Sequence, residues 1–216
     1  LPATSVDDKA RLRSRISMMQ ASGGTEIFQG LQLGVAQNTL SRWESGIREP
    51  SEDEINRIAD ALGRPVSFFY RTARPLAVDA ALMFHRKRAK TKQSTLQTLH
   101  AKLNVTRLAI ASLLKQLADW EVRFHRMPIE DFSSAAEVAK LLRASWQVKA
   151  GPIRNLVEMV EAAGGIVIRF DFGTQDIDAV GWWPWDTPPL MFLNSSAPAD
   201  RVRFSLAHEL GHLIMH

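Results

Sequence analysis

The sequence predicts an α+β protein: an all-α N-terminal bundle, a helical connector, and a C-terminal domain with a small sheet. Three observations carry this. Helical spacing of apolar residues dominates the first three quarters of the chain, with Ile55, Ile58, Ala59 and Leu62 on one helix face and Leu96, Leu99, Leu103, Leu108, Ile110, Leu113, Leu114 and Leu117 in a broad stripe. Short β-branched or aromatic runs then replace it at Ile166–Phe170, Ala179–Trp183 and Leu190–Leu193, bounded by Gly, Pro and Asn. Charge divides the chain as well. Residues 1–102 hold 16 Lys+Arg against 10 Asp+Glu, a net of +6, and residues 103–216 hold 11 against 13, a net of −2. A basic front half and a mildly acidic back half point to two tasks, with a polyanionic partner at the front.

Composition narrows the classes. At 216 residues, 45% hydrophobic and 23% charged, the chain has globular composition, which excludes disorder or a fibre as whole-chain readings. It has no cysteine, so disulfide scaffolds, thiolate zinc sites and thiol nucleophiles are excluded. No stretch approaches the roughly 18 apolar residues of a membrane span. Asp7 and Asp8 precede any apolar run, unlike a secretory signal. A soluble, cytoplasmic protein with no membrane partner is expected. The chain opens on Leu1, and Ser205–His216 is apolar-periodic without a stop signal, so a fragment of a longer protein is expected.

The chain divides into three segments: 7–72, 73–130 and 131–216. In the first, Asp7–Gln20 reads as a helix closed by Ser22-Gly23-Gly24, and Thr25 caps a second that runs to about Leu33. Gly34 breaks it, and a third helix spans about Gln37–Ser45, closed by Gly46. Glu49-Pro50-Ser51 opens a fourth, where Ser51 and Glu54 form a capping box, and Gly63 ends it. Val66, Phe68, Phe69 and Tyr70 form an apolar plug on the bundle. The middle segment starts as a linker through residue 92 and continues as a long helix from Ser94 to about Arg126, stopped by Met127-Pro128. Helices at about Ser134–Ser145 and Ile153–Ala163, the three strands, and a last helix from near Pro198 and Asp200 complete the chain. No internal repeat is present.

The run Leu33–Gly46 has the pattern of a helix, a tight Gly turn and a second helix, which lets the second helix lie in the DNA major groove. Val35, Leu40 and Trp43 would face the small core, leaving Gln37, Asn38 and Arg42 outward. Gln and Asn bond adenine bidentately and Arg bonds guanine. Thr39, Ser41 and Arg48 are better placed for phosphates, which position the domain without reading sequence. A plain helical bundle with these residues on its surface is the alternative.

Leu33–Tyr70 closely resembles the Cro/XRE-type helix-turn-helix of phage and bacterial repressors, with its lambda-repressor-like bundle. Ser41-Arg42-Trp43-Glu44-Ser45-Gly46, Glu49-Pro50 and Ala61-Leu62-Gly63 carry the match. Gln29 and Gly30 depart from the family's apolar residue and Ala, and Ala36 replaces its hydroxyl N-cap. A mid-helix Gly costs about 1 kcal/mol relative to Ala, and a lost cap about as much, so the front helix is expected to pack loosely. The resemblance implies transcription regulation through a double-stranded DNA operator, bound as a homodimer on two half-sites. The basic run His85–Lys92 reads equally as a phosphate contact or a solvated linker.

His208-Glu209-Leu210-Gly211-His212 is H-E-x-x-H. On a helix, His at i and i+4 share a face and reach one Zn²⁺, while Glu at i+1 points at the water such an ion carries. Zinc brings that water's pKa to about 7, and the Glu takes its proton. The alternative is a helix with two structural histidines. Leu206, Leu210 and Leu213 form the apolar back of the same helix.

Residues from about 150 to 216 resemble the ImmA/IrrE-type metallopeptidase domain, a zincin. The matching pieces are Pro152-Ile153-Arg154-Asn155-Leu156, Gly164-Gly165-Ile166-Val167, Gly181-Trp182-Trp183, Phe192-Leu193-Asn194 and Arg203-Phe204-Ser205-Leu206-Ala207. Fusion of an XRE domain to this peptidase is a familiar architecture. The resemblance implies His208 and His212 as zinc ligands, Glu209 as general base, and Leu190–Leu193 as the sheet edge that holds an extended substrate. It also implies a protein substrate, either a repressor partner or the chain itself. The family's third ligand lies on a later helix, so here it is expected beyond residue 216, and this fragment is expected to be inactive.

His216 sits eight residues after His208, about 12 Å along the axis. Both rings would have to lean fully inward to share an ion at about 2.0 Å, so helix-end packing or solvent contact is expected of His216. His85, His100 and His125 fall in helical or linker segments and are not expected to bind metal. Trp182, Trp183 and Trp185 read either as a substrate groove or as a hydrophobic plug. Two whole-chain functions stand beside the regulator with a working peptidase: a DNA-binding regulator whose peptidase-like domain only senses or docks, and a peptidase whose helix-turn-helix docks protein.

Overall fold

Ser51 and Glu54 close their capping box as the sequence predicts, and the first unit is organised around the helix it opens. The computed structural model describes residues 36–61, 65–70, 92–117, 120–185 and 187–216. The expected helices at Asp7–Gln20 and Thr25–Leu33, the face of Val35 and the basic run up to Thr91 lie outside them, as do the side chains of Gln37 and Leu40. Chain contacts divide the protein into two units: the described residues up to Tyr70 with Gln93–Leu108, and Ala109–His216.

In the first unit, α1 (Gln37–Glu44) starts after the extended Ala36, whose side chain caps nothing. It ends at Gly46, whose φ of 73° suits a residue without Cβ. In α2 (Glu52–Ala61) the Glu54 N–H donates to Ser51 Oγ at 3.3 Å, and the Ser51 N–H donates back to Glu54 Oε2 at 2.7 Å. Glu52, Asp53 and Glu54 crowd its first turn, where the helix dipole favours negative charge. The short α3 (Ser67–Tyr70) carries the plug: Phe68 and Phe69 are buried and meet edge to face with centroids 5.4 Å apart. Trp43 of α1, Ile55, Ile58 and Ala59 of α2, and these two rings pack on Ala101, Val105 and Leu108 of α4 (Gln93–Leu114).

The long helix ends at Leu114, twelve residues before the expected Arg126. The physical reason lies in the next segment of chain. Trp120–Pro128 is an extended strap in which Val122 and Phe124 turn inward while Glu121, Arg123 and His125 are exposed. Its backbone is bound elsewhere: the Arg123 N–H donates to Ala163 O at 2.8 Å and the Met127 N–H to Ile214 O at 2.7 Å. Trp120 Nε1 donates to Gly164 O at 2.9 Å, and the strap's Arg123 O accepts from Trp146 Nε1 at 2.9 Å. Phe124 packs on Trp146 and Trp183 at 4.8 and 5.9 Å. These contacts outweigh a helical propensity worth tenths of a kcal/mol per residue.

The strap belongs to the second unit. In α5 (Ala135–Ser145) the Ser134 hydroxyl accepts from the Glu137 N–H. α6 (Leu156–Ala162) begins three residues later than Ile153, because Asn155 is its cap and accepts from the Glu158 N–H at 3.2 Å. Gly164 comes next at φ 89°. The sheet has the order β1-β3-β2, with β1 (Ile166–Phe170) parallel and β2 (Ala179–Trp182) antiparallel to β3 (Leu190–Asn194). α7 (Ala199–Met215) packs on β2 and β3. Leu206, Leu210, Leu213 and Ile214 of α7 join Met191, Leu193, Ala179, Val160 and Phe124 in one core.

Candidate metal centre and nucleic-acid interface

α1 presents one apolar and one polar side. Trp43 is fully buried, and Asn38, Ser41 and Arg42 are exposed, with Thr39 half-buried. Gln37 holds the first position of the helix. Arg48 departs from this arrangement. Its N–H donates to Arg42 O at 3.1 Å, its Nη2 meets Glu54 Oε1 at 2.7 Å, and its guanidinium lies 5.9 Å from the Trp43 ring. Sequence reasoning assigns Glu54 to the capping box and Arg48 to phosphate, and misses the pair between them. No local pattern signals it, because the pair forms only once the segment Ser45–Ser51 folds back on itself. An exposed pair of this kind contributes about 0–1 kcal/mol, so its Arg can exchange the carboxylate for another anion at little cost.

The second site is built on α7. Phe204, His208, His212 and His216 recur every fourth residue and share one face. Successive ring centroids lie 6.4, 4.6 and 5.5 Å apart. His208 Nε2 and His212 Nε2 converge to 3.0 Å. Two imidazoles on one tetrahedral zinc at Zn–N of about 2.0 Å place their nitrogens about 3.3 Å apart. The pair therefore fits such an ion with a few tenths of an ångström of adjustment. His216 is exposed at the end of the helix. Among the described residues, no three His, Cys, Asp or Glu side chains form a group that could hold a metal.

Glu209 lies on the inner side of the same turn, 5% exposed, and its Oε2 accepts from the Gly181 N–H of β2 at 2.9 Å. A hydrogen bond to a charged acceptor is worth about 1.5–3 kcal/mol net, which offsets part of the cost of burying the carboxylate. β2 lies close on the helix at Gly181: a Cβ there would stand 3.2 Å from both Glu209 Cβ and Leu213 Cγ, which would have to give by a few tenths of an ångström. Asp178, the residue before β2, is clamped by Arg201 of α7 through both carboxylate oxygens, which fixes strand against helix.

The expectation that Leu190–Leu193 forms the substrate edge is overturned. That segment lies in β3, the central strand, paired on both sides and buried at every position. Leu-Met-Phe-Leu has no polar alternation, the pattern of a strand covered on both faces. The edge beside α7 is β2. The Asn194 N–H bonds Asp178 O at 2.8 Å, and antiparallel pairing alternates. Val180 and Trp182 therefore turn their amides to β3, and Ala179 and Gly181 turn theirs outward. Of the three tryptophans near this edge, Trp182 is buried and Trp183 packs on Phe124 beneath Arg126 at 4.7 Å, whereas Trp185 is 86% exposed.

The two sites lie in separate units of the chain, an exposed polar helix face in one and the His-Glu-x-x-His helix in the other. Comparison with known families gives the same division. Residues 30–69 match the family model described as helix-turn-helix, and residues 160–216 match that of the IrrE N-terminal-like domain. The first match spans α1 to α3 and supports DNA binding. The second spans the sheet and α7 and supports a peptidase-like domain. No curated protein and no solved structure matches the chain. Among the described residues, no helix is long and apolar enough to cross a membrane.

Proposed function

We propose that the chain is a sequence-specific, XRE-type transcriptional regulator carrying a zinc-dependent peptidase that cleaves a repressor partner or itself. The observation that carries the peptidase reading is the converging pair His208 and His212, with Glu209 on the intervening turn. His208 and His212 hold the ion through Nε2. Zinc there supplies a Lewis acid that polarises a peptide carbonyl and acidifies water. Glu209 accepts the proton of the attacking water at a carboxylate oxygen. An extended peptide lies along β2, the edge beside the helix. On the DNA side, Gln37, Asn38 and Arg42 read bases, and Thr39, Ser41 and Arg48 contact phosphates.

Zinc content and cleavage of an unfolded protein, measured on the 216-residue chain and on a chain extended at its C-terminus, test the peptidase reading. Glu209→Gln is expected to keep zinc and lose at least about 100-fold in cleavage rate. A chain that takes up no zinc in either form, or a Glu209→Gln variant that cleaves as fast as the wild type, would overturn it. The domain would then be a sensing or docking module.

A further inference from the structure

Gly181 does more than admit the strand. We infer that it is a positioning residue for the proposed general base, with its backbone N–H orienting the Glu209 carboxylate; this rests on the peptidase reading above. Three observations combine. First, Gly181 is an outward-facing position of β2, so its amide is not used by the sheet. Second, that amide donates to Glu209 Oε2 at 2.9 Å, within the ordinary range for such a bond. Third, the approach has no slack. A Cβ at 181 would press on Glu209 Cβ, Leu213 Cγ and Glu209 O at 3.2, 3.2 and 3.3 Å.

The consequence is geometric. A Glu side chain on a helix has three rotatable bonds, and a carboxylate that must take a proton from one direction loses rate when it samples others. Bonding Oε2 to a fixed backbone donor sets the carboxylate plane relative to α7. The same helix turn fixes His208 and His212, so base and imidazoles keep one mutual arrangement. The donor is backbone and the strand is held on α7 by the Asp178–Arg201 pair, so the orientation does not depend on another flexible side chain. The arrangement also limits the edge. A peptide lying along β2 cannot use the Gly181 amide while Glu209 holds it, which leaves the N–H and C=O of Ala179 and the C=O of Gly181 as the outward-facing groups of the strand.

Two measurements test this. Amide hydrogen exchange on the 216-residue chain, read residue by residue by NMR, reports the bond. In the zinc-loaded, C-terminally extended chain, Gly181→Ala is expected to lower kcat at least about tenfold with KM unchanged, a split that a merely structural bond would not produce. In the wild type the Gly181 amide is expected to exchange slowly despite lying on a sheet edge. In Glu209→Ala it is expected to exchange at least about tenfold faster, with Val180 and Trp182, bonded to β3, unchanged. Gly181→Ala, should it fold with an unaltered far-UV spectrum, is expected to show the same direction of change at residue 181, because its Cβ meets Glu209 and Leu213 at 3.2 Å and shifts the donor by a few tenths of an ångström. An edge-like, fast-exchanging Gly181 amide in the wild type, or one indifferent to Glu209→Ala, overturns the inference. Zinc content measured on the same samples separates the two readings. A protected, Glu209-dependent amide in a chain that takes up no zinc, either at 216 residues or extended at its C-terminus, keeps the bond and removes the peptidase reading. A fast amide in a zinc-loaded chain does the reverse.

Discussion

Arg42 and Arg48 are six residues apart and differ in what they are committed to. Arg42 is exposed on the open side of α1, whereas Arg48 is bound to Glu54 and lies against Trp43. In the proposed complex a base-reading arginine and a phosphate-contacting one have different signatures. Arg42→Ala is expected to cost about 1–3 kcal/mol at the preferred operator and to relax specificity at one position. Arg48→Ala should weaken binding evenly across sequences and lower the salt slope by about one unit. Fluorescence anisotropy against operator and scrambled duplexes at several salt concentrations separates them. An Arg42→Ala variant with unchanged operator affinity would remove α1 as the reading helix. Both arginines were legible in the sequence as cations around the Gly46 turn. The Arg48–Glu54 pair was not, because it depends on how Ser45–Ser51 folds back.

The strap Trp120–Pro128 and the turn after α6 show what elements demand of single residues. Gly164 has φ 89°, and a Cβ on it would lie 2.1 Å from Glu121 O and 2.9 Å from Val122 Cα, both backbone atoms that cannot rotate away. Gly164→Ala therefore combines a strained backbone, worth about 1–3 kcal/mol, with displacement of the strap. A loss of at least about 2 kcal/mol is expected in denaturant unfolding followed by Trp fluorescence. Gly173→Ala, at a similar φ of 73° but with open space around its Cβ, should lose less.

In α4, burial pushes the His100 pKa below its ordinary value. The folded state then binds fewer protons than the unfolded chain below a pH of about 6.5. Stability from this group is fully present above that pH and falls as pH drops through it. Unfolding of the first unit should be more acid-sensitive in the wild type than in His100→Gln between about pH 7 and 5. Equal pH dependence of the two would show that His100 is protonated alike in both states.

At the scale of the whole molecule the chain has two units with separate cores, one grouped on Trp43 and Phe69 and one on α7 and the sheet. A single helix-turn-helix reads few bases, and proteins of this kind reach specificity by placing two recognition helices one helical turn apart. Two chains per operator are therefore expected in sedimentation of the DNA complex, with affinity falling steeply as salt rises. One chain on one half-site at saturating protein would contradict this.

Local chemistry settled much of the rest. The Ser51–Glu54 capping box, the Gly46 turn, the burial of Trp43, Phe68 and Phe69, and the placing of His208, His212 and Glu209 on one helix come from residue identity and spacing of 3.6 per turn. Such signals act over a few residues, so the sequence contains them whole. Three things were decided only by tertiary structure. The stripe of leucines ended at Leu114 because the backbone of Arg123 and Met127 found partners in Ala163 and Ile214, up to 87 residues away along the chain. Leu190–Leu193 became the centre of the sheet because strand order depends on which neighbours pair, and an apolar run does not specify that. Glu209 met the Gly181 amide because two segments 28 residues apart pack so closely there that a Cβ on residue 181 would stand 3.2 Å from Glu209 Cβ.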